Sequence, residues 1–200
     1  MATTRVYLEE GKSSVFAVAL DWPGWCRRAR TSELAIEALD AYAARYALIV
    51  TEGFTVGRFE VIGTLKGDGT TDFGAPNQRG PWDGVDMTAK ELEHRLSVLS
   101  QCWRYFDSVV ATSPATLRKG PRGGGRDRDQ VAAHVREAER AYGRKVGARV
   151  PPRTPWPEQR ATIVDALRGS SPEQWPKRYA ITRVAWHVVD HAWEIEDKSD

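Results

Sequence analysis

Cysteines and long apolar runs are both scarce in this chain of 200 residues. The two cysteines, Cys26 and Cys102, lie far apart and form no C-x-x-C pair, which argues against a disulfide framework and for a reducing compartment. The N-terminal MATTRVYLEE lacks the apolar run of a signal peptide. No stretch approaches about 18 uninterrupted apolar residues, the length that spans a membrane. We therefore expect a cytoplasmic protein with no membrane association.

An excess of charge of one sign is also absent. The formal net charge is +2 and the pI is about 8.6, so the composition gives no global electrostatic case for nucleic-acid binding. The apolar fraction of 41% and the charged fraction of 28% are ordinary for a globular protein. What is abundant is tryptophan, with eight residues, which indicates amphipathic pockets or interfaces as well as core.

The first part of the chain, residues 1–66, has the pattern of a small α/β domain. RVYLEE and VFAVAL are short runs of β-forming residues, CRRAR follows the break at DWPGW, and RFEVIGTL closes the unit. Between CRRAR and RFEVIGTL, a helix capped by Thr31 or Ser32 has apolar residues at helical spacing. The predicted order is β-β-β-α-β.

Residues 67–86 contain five glycines and two prolines, a composition typical of turns. We predict a linker here. From residue 87 to residue 200 the apolar period becomes helical, with breaks at RKGPRGGGRD, ARVPPRTPWP and SSPEQWP. This part predicts four amphipathic helices, at 88–112, about 128–146, about 157–169 and about 178–197, which fit a four-helix bundle.

Two of the four histidines stand four residues apart near the C-terminus, in RVAWHVVDHAWEIED. At about 100° per residue, His187 and His191 lie together on one flank of the apolar side of their helix, where both can turn inward. Arg183 and Glu194 continue the same polar stripe. An i,i+4 pair of this kind holds two imidazoles close enough to bind one metal ion.

The other two histidines take different positions on their helices. His134 flanks the apolar side of the second long helix, with Glu137 one turn further on, whereas His94 sits opposite the apolar side of the first and faces solvent. His134 is therefore the candidate for a third ligand. Three ligands leave one coordination position open, which distinguishes a catalytic from a structural metal site. Glu137 and Glu194 are placed to accept the free ring N–H of a ligating histidine.

The histidine pattern also fits a second interpretation. Any two histidines four apart on a helix match H-x-x-x-H, and a helix-flanking residue such as His134 is often a hydrogen-bonded boundary residue. The residues alone leave a metal site and three boundary histidines as alternatives.

The second half resembles the DinB superfamily of metal-binding four-helix bundles, over roughly residues 86–200. The resemblance lies in GGGRDRDQVAAHVREAERAYGRKVG, where a histidine opens an H-x-x-E-A-E-like run, and in the H-x-x-x-H of RYAITRVAWHVVDHAWEIED. It implies a divalent ion, zinc or nickel, held by three histidines at the positions of His134, His187 and His191.

The same resemblance implies an activity. DinB-like proteins that have one are thiol-dependent transferases or isomerases, several using mycothiol or bacillithiol, and some are hydrolases. We expect a metal-dependent enzyme of this kind, with a small-molecule substrate and a low-molecular-weight thiol such as mycothiol as cofactor. Arg183 would then hold a substrate carboxylate, or it pairs with an acid on its own helix.

The first half resembles the HicB antitoxin fold. VFAVALDWPGWCRRARTSELAIEALDAYAARYA has its pattern of strand, proline-glycine turn, short strand and Ser/Thr-capped helix. In such antitoxins this domain binds a small RNase toxin, and a separate motif binds DNA. No DNA-binding motif follows here, so we expect neither nucleic acid nor a small toxin-like partner, and the domain would serve as a scaffold or homodimerisation unit.

The predicted fold is thus α+β, a HicB-like β-β-β-α-β domain followed by a DinB-like four-helix bundle. A rival function is a non-enzymatic interaction module, with a HicB-like binding surface and the bundle as ligand sensor or dimerisation unit. Metal content with an accessible coordination position favours the enzyme, and a closed or empty site favours the rival.

Overall fold

The computed structural model of the chain describes residues 2–121, 123–169 and 174–199. Its sheet has four strands: β1 (Thr3–Glu10), β2 (Val15–Ala19), β3 (Cys26–Ala29) and β4 (Arg58–Lys66). The order across the sheet is β3-β2-β1-β4, antiparallel except that β4 runs parallel to β1. The predicted α+β class and the order of strands along the chain are confirmed.

Two helices, α1 (Ser32–Ala41) and α2 (Ala43–Ala47), follow β3 where one helix was predicted. Thr31 caps α1, because its hydroxyl accepts from the backbone N–H of Leu34 at 3.3 Å. The DWPGW break packs against these helices. Trp25 is fully buried and donates from Nε1 to the carbonyl of Leu39 at 2.9 Å. The DWPGW segment is therefore part of the hydrophobic core and not a turn at the surface.

The segment predicted as a linker, residues 67–86, is folded against the sheet. It contains α3 (Gly69–Phe73) and a 3-10 turn at Pro81–Gly84. The carboxylate of Asp72 accepts from the backbone N–H of Ser13, at 2.7 Å, in the turn between β1 and β2. The linker assignment stays a prediction, but glycine and proline density, which marks turns, did not reveal these long-range partners.

A buried carboxylate holds the rest of this segment. Glu9 on β1 is fully buried and accepts three hydrogen bonds from the segment. The donors are the hydroxyl of Thr71 at 2.6 Å and the backbone N–H groups of Asn77 and Gln78 at 3.0 and 2.9 Å. A buried carboxylate is costly unless it is satisfied in this way, so Glu9 and the segment stabilise each other.

Four long helices make up the second half, and their bounds agree with the predicted ones within a few residues. They are α4 (Ala89–Thr112), α5 (Arg128–Lys145), α6 (Trp156–Arg168) and α7 (Lys177–Asp197). Thr88 caps α4 by accepting from the backbone N–H of Glu91 at 3.1 Å. Within the described ranges, none of the helices combines the length and the apolarity that crossing a bilayer requires.

Helix α7 joins the two halves. Of its 21 residues, 14 are buried, because the helix packs on α4 and α5 and also contacts β2 and the DWPGW turn. Trp186 meets Phe16 of β2 edge-to-face, with ring centroids 6.2 Å apart. Gly24 has a φ of 97°, a left-handed conformation that favours glycine, and a Cβ there would lie 3.2 Å from Cγ2 of Val189, which is tighter than an ordinary contact. One hydrophobic core therefore runs through both predicted domains, and the boundary near residue 66 stays a prediction.

Candidate metal centre

Three histidines from two helices meet between α5 and α7. His187 and His191 lie one turn apart on α7, and His134 faces them from α5. One ring nitrogen from each lies within 4.8 Å of the other two. The Nε2 atoms of His134 and His187 are 3.2 Å apart. The three histidines selected by helical angle are therefore the three that the fold brings together.

Burial favours the neutral form of two of these imidazoles, His187 and His134. His187 is 7% exposed, and burial lowers its pKa well below the ordinary histidine value, with the charges of His191 and His134 lowering it further. The pKa of His134 is lowered as well, first by burial and then by the charge of His191. A neutral imidazole is the form that ligates a metal, so both shifts favour the ligating state.

Glu194 orients His191. Its Oε2 lies 2.7 Å from Nδ1 of His191, and Lys198 donates to its other oxygen at 2.5 Å. The hydrogen bond with His191 is the main cause that lowers the pKa of Glu194 to about 2. An ionised Glu194 holds the ring proton on Nδ1, which leaves Nε2 of His191 with a free lone pair. This is the contact that the sequence predicted for Glu194.

Glu137, predicted for the same role, does something else. Its side chain is 64% exposed and accepts from Arg140 at 2.6 Å. The prediction for Glu137 is corrected, because a cation one turn along α5 provides a partner at the surface. His187, in turn, has a buried Nδ1 with no hydrogen-bond partner among the described residues. Neither glutamate orients that ring.

Arg183 lies one turn before His187 on α7. It donates to the carbonyl of Pro76, and its guanidinium stacks on Trp186, 4.5 Å from the ring centroid. Tyr142 lies on its other side, with its hydroxyl 3.5 Å from Nη2. Arg183 therefore does not take the predicted alternative of an ion pair on its own helix, and its charge is held close enough to lower the pKa of His187.

Tyr142 is a site residue that the sequence did not single out. Its ring stands edge-on to His187, with centroids 5.6 Å apart, and packs against Trp175 at 5.3 Å. A signal for this position existed. Tyr142 follows His134 by eight residues, so both point to the same side of α5 two turns apart. The phenol forms one wall of the site.

His94 is exposed and stands outside the cluster. Its ring meets Trp22 edge-on, with centroids 5.4 Å apart. The prediction that His94 faces solvent on α4 is confirmed. It is the natural control for the three clustered histidines.

The cluster fits a metal ion chemically. It offers three imidazole donors, and no further His, Cys, Asp or Glu of the described chain joins the group. His134 and His191 are only partly buried, so a fourth position would be reachable from solvent. Comparisons of the chain with protein-family models, with curated proteins and with solved structures found no match.

Proposed function

We propose that the chain binds one divalent metal ion through His134, His187 and His191, as a DinB-like four-helix bundle. The observation that carries this proposal is the convergence of three imidazole nitrogens within 4.8 Å. Three histidines that only lie at the boundary of the core would have no reason to bring their ring nitrogens together. Between the two facing Nε2 atoms of His134 and His187, an ion accepts both lone pairs, whereas a hydrogen bond uses only one.

Zinc or nickel is the ion we propose. Imidazole nitrogen is a ligand that suits both, and the donor set contains no thiolate that would select a softer ion. Three neutral ligands leave the charge of a divalent ion uncompensated. An anion in the open fourth position, hydroxide or thiolate, is favoured for that reason.

The proposed activity is a transferase, isomerase or hydrolase reaction on a small molecule. When bound, the ion would lower the pKa of a coordinated water, or of a low-molecular-weight thiol such as mycothiol, towards neutrality. Glu194 would keep the proton of His191 on Nδ1 and so direct Nε2 inward. Tyr142 and Trp186 would exclude water from one side of the reacting group.

Arg183 would bind an anionic group of the substrate. Its guanidinium is fixed by Trp186 and by the carbonyl of Pro76, so little side-chain freedom is lost when an anion binds. No carboxylate of the described residues forms an ion pair with it. Arg126 adds a second positive charge, which acts on both His134 and His187. A carboxylate-bearing substrate matches these charges.

We propose that the HicB-like part serves as a scaffold. Its sheet covers one side of α7, the helix that carries two of the three histidines. A protein-binding or dimerisation role with no metal is the rival function, and the metal content separates the two.

Elemental analysis of the purified chain tests the proposal, with single variants His134→Ala, His187→Ala and His191→Ala. We expect about one equivalent of metal in the wild type, as in a single three-histidine site, and close to none in each variant. His94→Ala is the matched control and should keep the wild-type content.

Folding is checked separately by circular dichroism, since His187 is buried. Equal metal content across all variants would contradict the proposal. So would a wild-type protein that stays metal-free after incubation with zinc and with nickel, and that result would favour the interaction module.

A further inference from the structure

Positive charge is concentrated in the stretch of the chain that carries His134, and part of this charge lies outside the proposed metal site. Residues 126–153 hold eight arginines and lysines against four acids. This stretch therefore has a formal charge of +4, whereas the whole chain has +2. It comprises α5 and the connection to α6, and its arginines at 136, 140 and 144 recur every four residues along one side of α5.

Part of this stretch forms a concave surface. A cleft of about 370 Å³ opens between α5 and the proline turn that follows it. Its lining residues are Ala133, Arg136, Glu137, Arg140, Pro151, Pro152, Arg153 and Gln159. Three of these residues are arginines and one is a glutamate, so the lining has a formal excess of two positive charges.

The other acids of the stretch do not neutralise this excess. None of the three lines the cleft, and each is paired with a cation elsewhere. These pairs are Asp127 with Lys119, Asp129 with Arg128, and Glu139 with Arg160. The positive charge of the cleft is therefore a property of the fold as well as of the sequence.

Two arginines of the cleft use only part of their hydrogen-bonding capacity. Arg136 uses one nitrogen on the carbonyl of Thr154 at 2.5 Å, and Arg140 uses one on Glu137 at 2.6 Å. The Nε of Arg140 is buried and has no hydrogen-bond partner among the described residues. Arg153 is exposed and has a φ of 69°, a left-handed conformation that costs a non-glycine residue free energy. Arginine at such a position is unusual, and its side chain stands at the rim of the cleft.

We propose that this cleft binds the phosphoryl group of a small phosphorylated molecule. A phosphate monoester carries a charge of about −2 near neutral pH, which matches the excess in the cleft. Guanidinium groups bind phosphate oxygens in pairs, more strongly than point cations do. The cleft has no aromatic side chain on which a base could stack, and it is concave rather than extended, so a single phosphoryl group fits it better than a nucleic-acid strand.

Isothermal titration calorimetry at constant ionic strength tests this site, with inorganic phosphate as the probe. We expect one saturable site in the wild-type chain. Arg140→Gln and Arg153→Gln should each weaken phosphate binding roughly tenfold or more, since each removes a charge-assisted donor. Glu137→Gln should strengthen it several-fold, because it removes the one negative charge in the cleft.

Arg149→Gln is the matched control. It removes the same charge from an exposed position in the same stretch, outside the cleft, and should leave phosphate affinity within about twofold of wild type. All four variants should keep the wild-type metal content, which separates this site from the three histidines.

Three results would overturn the proposal. One is phosphate affinity that is unchanged in Arg140→Gln and Arg153→Gln. Another is equal binding of succinate, which would show a general attraction for dianions. The third is tight binding of a duplex oligonucleotide that depends on the same two arginines, because the occupant would then be a polyanion.

Discussion

Glu194 is the side chain on which the orientation of His191 depends. It lies 2.7 Å from Nδ1 of His191 and receives a second hydrogen bond from Lys198. With a pKa of about 2, it is ionised at every pH at which an imidazole can ligate a metal. The carboxylate therefore always favours the tautomer of His191 that carries its proton on Nδ1 and leaves the lone pair on Nε2.

The prediction at this scale is that Glu194→Gln weakens metal binding without abolishing it. Loss of a partner that orients a ligating histidine typically costs about 10- to 100-fold in metal affinity. Competition with a chromophoric chelator measures the dissociation constant. Glu137→Gln is the control, because Glu137 pairs with Arg140 at the surface and should leave the constant unchanged. A larger loss of metal affinity in Glu137→Gln than in Glu194→Gln would show that Glu194 is not the residue that orients a ligating histidine.

At the scale of elements, the segment from α3 to the 3-10 turn connects the sheet to α7. Glu9 and the β1–β2 turn hold it on one side. On the other side, the carbonyl of Asn77 accepts from the hydroxyl of Tyr179 at 3.1 Å, and the carbonyl of Pro76 accepts from Arg183. The position of Arg183 next to the histidines thus depends on a segment far away in sequence.

Asp72→Asn tests this connection through its pH dependence. The backbone N–H groups of Ser13 and Lys12 donate to Asp72 and lower its pKa from the ordinary 3.8. A carboxyl whose pKa is lowered by folding adds stability above its unfolded pKa, and that stability is lost as pH falls through the folded value. We therefore expect Asp72→Asn to lower the thermal unfolding temperature at pH 7, and the difference from wild type to shrink below about pH 3.8.

Circular dichroism melts across this pH range provide the measurement. Asp86→Asn, an exposed position in the same segment, should show no such difference at either end of the range. A constant offset between Asp72→Asn and wild type at all pH values would mean that the ionised carboxylate is not what holds α3.

At the scale of the whole molecule, one core extends from the sheet through α7 into the other long helices. Helix α7 has few exposed residues because it is covered on both sides, which is why His187 is buried and has a lowered pKa. Removing the sheet would expose the side of α7 that carries Trp186, which is now 5% exposed. The two predicted domains therefore stabilise each other.

Limited proteolysis distinguishes this arrangement from two domains on a linker. We expect trypsin to cut first between α4 and α5, next to the exposed residues Arg118 and Lys119, because proteases select exposed loop tips. Residues 67–86 should resist, since Glu9 and Asp72 hold their backbone. Mass spectrometry of the first fragments identifies the cut. Early cleavage in residues 67–86 would instead favour two domains that are joined by a linker.

The sequence alone was sufficient for the strands, the long helices and the choice of histidines, but not for α2, α3 or the 3-10 turn. Apolar period and the prolines between the helices located the long helices within a few residues, and Thr31 or Ser32 marked the start of α1, because these signals act locally. Helical angle placed His134, His187 and His191 at the inner flank and His94 outside. Helical angle is a property of the backbone, so it needs no knowledge of neighbours.

The roles of the glutamates were decided only by the tertiary structure. Glu137 follows His134 by three residues, and Glu194 follows His191 by three, so their spacing is identical. Yet Glu194 faces its histidine with Lys198 on its other oxygen, whereas Glu137 turns outward to Arg140. Glu9 and Asn77, 68 residues apart, likewise meet only in the fold. A hydrogen bond depends on which groups surround an oxygen in space. The spacing offers each glutamate both a histidine and a cation within about one turn and does not choose between them, and it gives no signal for a partner as distant as Asn77.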